Sequence, residues 1–144
     1  MVNRLLMVAA IFFAIVAAGS IYYGVTSNQN ANEKTDRILQ RYGDEISFLV
    51  DQEVTNERDR LVFEQKISTY IRAMDVASNE PVTDFALDVQ GSVVDFENYL
   101  IQPNSIYDLP KSERAEIADL IRERFIKKDQ IETLPAEISK MMSG

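Results

Sequence analysis

From Leu5 to Val25 the chain reads LLMVAAIFFAIVAAGSIYYGV, an unbroken run of 21 residues without a charge. At 1.5 Å of rise per residue such a run makes a helix of roughly 31 Å, the thickness of one hydrocarbon core. A soluble helix of this length would need a polar face, because a small domain has no interior deep enough to surround it. Residues 1–25 are therefore read as a transmembrane signal anchor. The competing reading is a cleaved signal peptide, with Arg4 as its charged n-region and Val16-Ala17-Ala18 as a small-residue cleavage signal. Against that, the apolar run continues through Ile21, Tyr22, Tyr23 and Val25, and the paired tyrosines suit an interfacial aromatic belt.

Within the run, Ala10, Ala14 and Ala18 recur every four residues, and Ala17, Ser20 and Gly24 add a second small-residue row. Small residues at this spacing let helices approach closely in lipid, so these are candidate packing positions, although Ala is also common in such segments. The run holds no Asp, Glu, Lys or Arg, so it carries no ion pathway or proton relay of its own. Arg4 abuts it directly. On the other side the first cations are Lys34, Arg37 and Arg41, interleaved with Glu33 and Asp36. Adjacency outweighs number here, which places the N-terminus inside and the remainder outside, the periplasm if the host is a bacterium.

That remainder is acidic. Of 15 Lys and Arg only Arg4 lies in the anchor, leaving 14 basic against 23 acidic residues beyond it. A nucleic-acid footprint needs the opposite balance. Cys and His are both absent, which removes disulfides, thiol catalysis, Cys- or His-based metal sites and the Ser-His-Asp arrangement. Carboxylate pairs occur at helical spacing, Asp84 with Asp88 and Glu113 with Glu116, but without the Glu, Asp and Thr pattern of small lysozymes. The stretch Asp88 to Glu97 lacks the ligand spacing of a calcium loop. No catalytic residue, cofactor or metal is expected.

Thr26 to Asn32, TSNQNAN, is read as a polar linker, and 33–144 as an acidic, all-helical domain punctuated by Pro81, Pro103, Pro110 and Pro135. Its first stripe is Ile38, Leu39, Tyr42, Ile46, Leu49, Val50 and Val54, and its second is Leu61, Phe63, Ile67, Tyr70, Ile71 and Met74. The polar tract DQEVTNERDR separates them. Residues 33–78 are therefore either one long stalk helix or a hairpin turning near Thr55-Asn56, and the hairpin or bundle is preferred. Phe85, Val89, Val93, Phe96 and Leu100 make a clean single-faced helix, opposite Asp84, Asp88, Asp95 and Glu97. Gly91 inside it suggests a close backbone approach.

Ile106, Tyr107 and Leu109 are too apolar for a free loop and should lie on the bundle. A helix is expected from near Ser112, with Ile117, Leu120, Ile121 and Phe125 buried and Arg122, Arg124, Lys127 and Lys128 completing its C-terminal end. Glu123 is spaced to pair with Lys127. After Pro135, a short segment puts Ile138, Met141 and Met142 on one face, either docked on the bundle or offered as partner contacts.

These features fit a single-pass, membrane-anchored accessory or scaffold subunit of a cell-envelope assembly. It would act by contact with membrane lipid and protein partners, with a second copy of itself as one option. The alternatives are a membrane-tethered sensor or regulator whose helical domain binds a ligand or protein, and, on architecture alone, a lysis component like inner-membrane spanins.

Overall fold

The computed structural model describes residues 29–79, 83–101 and 105–143. The expected anchor, with Ala10, Ala14, Ala17, Ala18 and Gly24, lies outside them. Among the described residues no helix is long and apolar enough to cross a membrane, and no strand occurs. Five α-helices and one 3-10 turn form a bundle: α1 (29–50), α2 (Glu57–Ser78), α3 (Asp84–Ile101), the turn Ile106–Asp108, α4 (Lys111–Lys127) and α5 (Leu134–Met142). The expected all-helical bundle is the observed architecture.

Residues 33–78 turn rather than running on as a stalk. Asn56 is the N-cap of α2: its Oδ1 accepts from Asp59 N at 2.9 Å, while Asp59 Oδ2 accepts from Thr55 Oγ1 at 2.7 Å and Asn56 Nδ2 at 2.8 Å. Short polar side chains that compete for the backbone favour a cap over a helix interior, so the polar tract is where the chain reverses. Part of the expected linker is helical. Residues 29–32 already form the first turn of α1, since no proline or glycine stands between them and the amphipathic stripe to halt the helix.

The helices meet through identifiable pairs. Along the α1/α4 seam, Gln40 Nε2 donates to Ile126 O (3.1 Å), Arg122 Nε to Asp44 Oδ1 (3.3 Å), and buried Ser47 Oγ to Ala118 O (2.7 Å). As α1 numbers rise their α4 partners fall, so the two run antiparallel. Ser68 donates to Glu97, and Gln90 Nε2 pairs with Asn79 Oδ1, which sets α2 antiparallel to α3. At the N-terminus of α3, Thr83 Oγ1 accepts from Ala86 N at 3.0 Å and donates to Asp36 at 2.8 Å, placing α3's start beside the first turns of α1.

The core draws on every helix, with Leu39, Ile46, Ile67, Ile71, Leu100, Ile117, Ile121 and Ile138 among its fully buried members. All five residues of the α3 stripe are buried, as the spacing predicts. Leu61 departs from its expected stripe and is 57% exposed, because it lies in α2's first turns, beyond the part of the helix that α3 covers.

Phe125 is the keystone of the centre, edge-on to Phe85 and tilted against Phe96 at centroid separations of 6.0 and 6.3 Å. Its other side lies on Gly43. A Cβ built there would fall 2.5 Å from Phe125 Cδ1 and 2.7 Å from Phe125 Cβ. The close approach suggested for Gly91 is thus found at Gly43 instead, and a Cβ at Gly91 would meet nothing within 4 Å.

Candidate interaction surfaces

Two polar assemblies fix the bundle's ends. Far from residue 29, α1 finishes without a C-terminal glycine, and its last carbonyls are capped in space rather than in sequence. Arg114 donates to Gln52 O (2.7 Å) and Val50 O (3.3 Å), and Tyr107 OH donates to Leu49 O (2.8 Å). Cationic donors suit a helix C-terminus, where the carbonyls and the macrodipole are both negative. Arg114 is only 6% exposed and lies over the Tyr107 ring at 5.2 Å. Arg60 closes the same corner with paired bonds to Asp108 and one to Glu64. Burial pushes the Tyr107 hydroxyl well above its ordinary pKa, so it stays a donor even in alkali that would ionise an exposed tyrosine. The segment expected to lie on the bundle is therefore part of its framework, with Ile106 fully buried. Sequence reading passed over Arg114, whose partners are carbonyls more than sixty positions away.

At the opposite end, the cations closing α4 meet carboxylates of α1, α5 and α4 itself. Lys128 Nζ binds Asp36 at 2.8 Å, Arg124 reaches both oxygens of Glu137 at 3.0 and 3.2 Å, and Lys127 pairs with Glu123 as its spacing predicts. Lys128 takes up a left-handed conformation at φ 55°, which turns the chain out of α4. The Glu137 carboxyl is held below its ordinary pKa chiefly by the Thr133 hydroxyl and then by Arg124, and Lys127 lowers that of Glu123 in the same sense. Asp88 is raised, by partial burial first and then by the like charges of Glu132 and Asp84.

Of Ile138, Met141 and Met142, the structure docks the first on the bundle. It is fully buried, because Arg124, Thr133 and Glu137 lock α5 down with its apolar face inward. Met141 and Met142 are partly buried against the same core. The outward apolar residues lie elsewhere, with Phe48 55%, Val76 74%, Val94 70% and Ile126 62% exposed. They escaped sequence reading because each lies close to a genuine core stripe.

Within the bundle, the gap between Met74, Val89, Phe96, Phe125 and Leu134 holds about 10 Å³, room for no more than one water-sized sphere. Among the described residues no group of three or more acidic side chains is placed to hold a metal ion. Searches of protein-family models, curated proteins and solved structures find no match to this chain.

Proposed function

We propose that the chain is a single-pass, membrane-anchored accessory or scaffold subunit of a cell-envelope assembly, acting through protein contacts. The observation that carries this reading is the uncharged run Leu5–Val25 followed, only a few residues later, by a bundle that leaves large apolar side chains outward. Three residues separate Val25 from the first helical position of α1. At about 3.5 Å per residue they span no more than roughly 14 Å across their four links, so the bundle would stand close to the lipid. The ends of α1 and α3 that meet at Asp36 and Thr83 would then face the membrane, with the N-terminus inside and the bundle in the periplasm or outside the cell.

Function in this reading is positioning. The anchor fixes the chain in the membrane, the ion pairs of α1, α4 and α5 keep the bundle rigid, and exposed side chains such as Phe48 and Val94 engage a partner. Affinity purification from detergent-solubilised membranes tests it. A partner recovered in fixed stoichiometry is expected, and recovery of an isolated monomer at near-native concentration would overturn it.

A further inference from the structure

The outward face of α3 carries an apolar strip that the bundle leaves uncovered. Leu87, Gly91, Val94 and Asn98 follow one another at intervals of four, three and four, which keeps them on one face, opposite the buried stripe of Phe85, Val89, Phe96 and Leu100. Leu87 is 48% and Val94 70% exposed. α2 extends the strip. Its contacts with α3, Ser68 to Glu97 and Asn79 to Gln90, set Val76 level with Gly91. Val76 is 74% exposed and lies one turn beyond Arg72, which reaches Glu97 across the same seam at 3.9 Å.

Glycine stands in the middle of that strip with no purpose inside the bundle. In a helix interior it is disfavoured against alanine, and a Cβ at Gly91 would meet nothing within 4 Å. A missing side chain on an outward face suits a second backbone that approaches closely. Beside the strip, roughly 70° round the helix at about 100° per residue, runs the acidic row Asp84, Asp88 and Asp95. Among the described residues none of the three makes an ion pair, and α3 has no basic residue. Neighbouring elements add charge of the same sign: after partial burial, Glu132 and Asp84 raise the pKa of Asp88. The flank toward α2 differs, since Arg72 and Ser68 answer Glu97 there.

We propose that this face receives an amphipathic helix of a second protein, which packs small and apolar residues over Leu87, Gly91, Val94 and Val76 and lays a row of Lys or Arg along Asp84, Asp88 and Asp95. The inference rests on the scaffold reading above and gives the partner its chemistry. On that reading α3 starts at the end of the bundle nearest the anchor, beside the first turns of α1. A helix lying along α3 then runs away from the membrane surface, as one continuing from a neighbouring anchor would.

Site-specific photocrosslinking of the full chain in its native membranes tests it. A benzophenone amino acid in place of Val94 should form an adduct with one other protein, at a helix whose Lys or Arg residues are spaced to meet the acidic row. The same probe in place of exposed Glu116 on α4 should form none. Gly91→Leu, which fills the open space, should cut the Val94 adduct at least about tenfold, and D88N/D95N, which removes two charges, at least about threefold. Circular dichroism and urea unfolding check that the fold is kept, and if Gly91→Leu loses it, D88N/D95N carries the test. No adduct at Val94, an adduct to lipid, to a second copy or to a segment without a basic row, an equal yield from Glu116, or folded variants that crosslink as wild type does would overturn the proposal. A partner that crosslinks from Phe48 and not from Val94 would remove this inference and leave the scaffold reading standing.

Discussion

Two glycines inside helices make opposite predictions. An alanine in a helix interior is favoured over glycine by about 0.5–1 kcal/mol. At Gly91 nothing opposes that gain, since a Cβ there meets nothing within 4 Å. Gly91→Ala should therefore raise stability by that amount. At Gly43 the new methyl group would lie 2.5 Å from Phe125 Cδ1 and 2.7 Å from its Cβ. The ring cannot swing aside, because Phe85 and Phe96 hold it, and the Cβ moves only if α4 moves. Overpacking of this kind costs about 1–3 kcal/mol, and contacts this short with the ring's own Cβ put it toward about 2–3, so after the helix gain Gly43→Ala should lose about 1–2 kcal/mol. For a domain of this size that is a fall in Tm of roughly 5–10 °C, against a rise of a few degrees for Gly91→Ala. Thermal and urea unfolding of the full chain in detergent, followed at 222 nm, measures both. A Phe125→Ala background should relieve the Gly43→Ala penalty in part, since the ring is gone but the Cβ remains. A neutral or stabilising Gly43→Ala would show that α1 and α4 do not meet as described.

Three further substitutions probe the ends of the bundle. Arg114→Met leaves the carbonyls of Val50 and Gln52 without their donor and should cost about 2–4 kcal/mol in urea unfolding. Arg114→Lys should recover little of that loss, because an ammonium lacks the planar fork that serves two carbonyls and lies on Tyr107. Asp88 has a raised pKa when folded, so its ionisation opposes folding. Asp88→Asn should stabilise at pH 7, with the gain shrinking as the pH falls through the folded pKa and absent below the ordinary carboxylate range. Glu137 has a lowered pKa, so its contribution is present above the ordinary carboxylate pKa and lost as the pH falls through the folded value. Glu137→Gln should cost under about 1 kcal/mol at pH 7, given solvent screening, and nothing in strong acid.

Helical periodicity made much of this fold legible. The α3 stripe reports its own buried face, and the cluster of Thr55, Asn56 and Asp59 marks a cap because its side chains compete locally with the backbone. The apolar run Ile106, Tyr107 and Leu109 was equally readable, since burial is the favoured fate of such side chains in a connection. What stayed hidden depends on partners remote in sequence. Nothing near Gly43 announces that Phe125 will rest on it, and Gly91, a better placed suspect within a clean stripe, turns out to face open space. Arg114 reads as one more surface cation of α4 until α1 ends beside it without a cap of its own. For Ile138 the sequence leaves docking and partner contact both open, and α5, too short to be stable alone, takes the docked alternative with Ile138 buried.

Membrane anchoring with an exterior bundle is the claim on which the functional account stands, and the absence of cysteine from the chain makes it directly measurable. A single cysteine introduced at exposed Ser112 of the full chain, Ser112→Cys, can be treated in intact bacterial spheroplasts with a membrane-impermeant maleimide, and the membranes then washed with alkaline carbonate. The account predicts labelling without permeabilisation and retention of the labelled chain in the washed membranes. Release by carbonate, or labelling only after the membrane is broken, would contradict it.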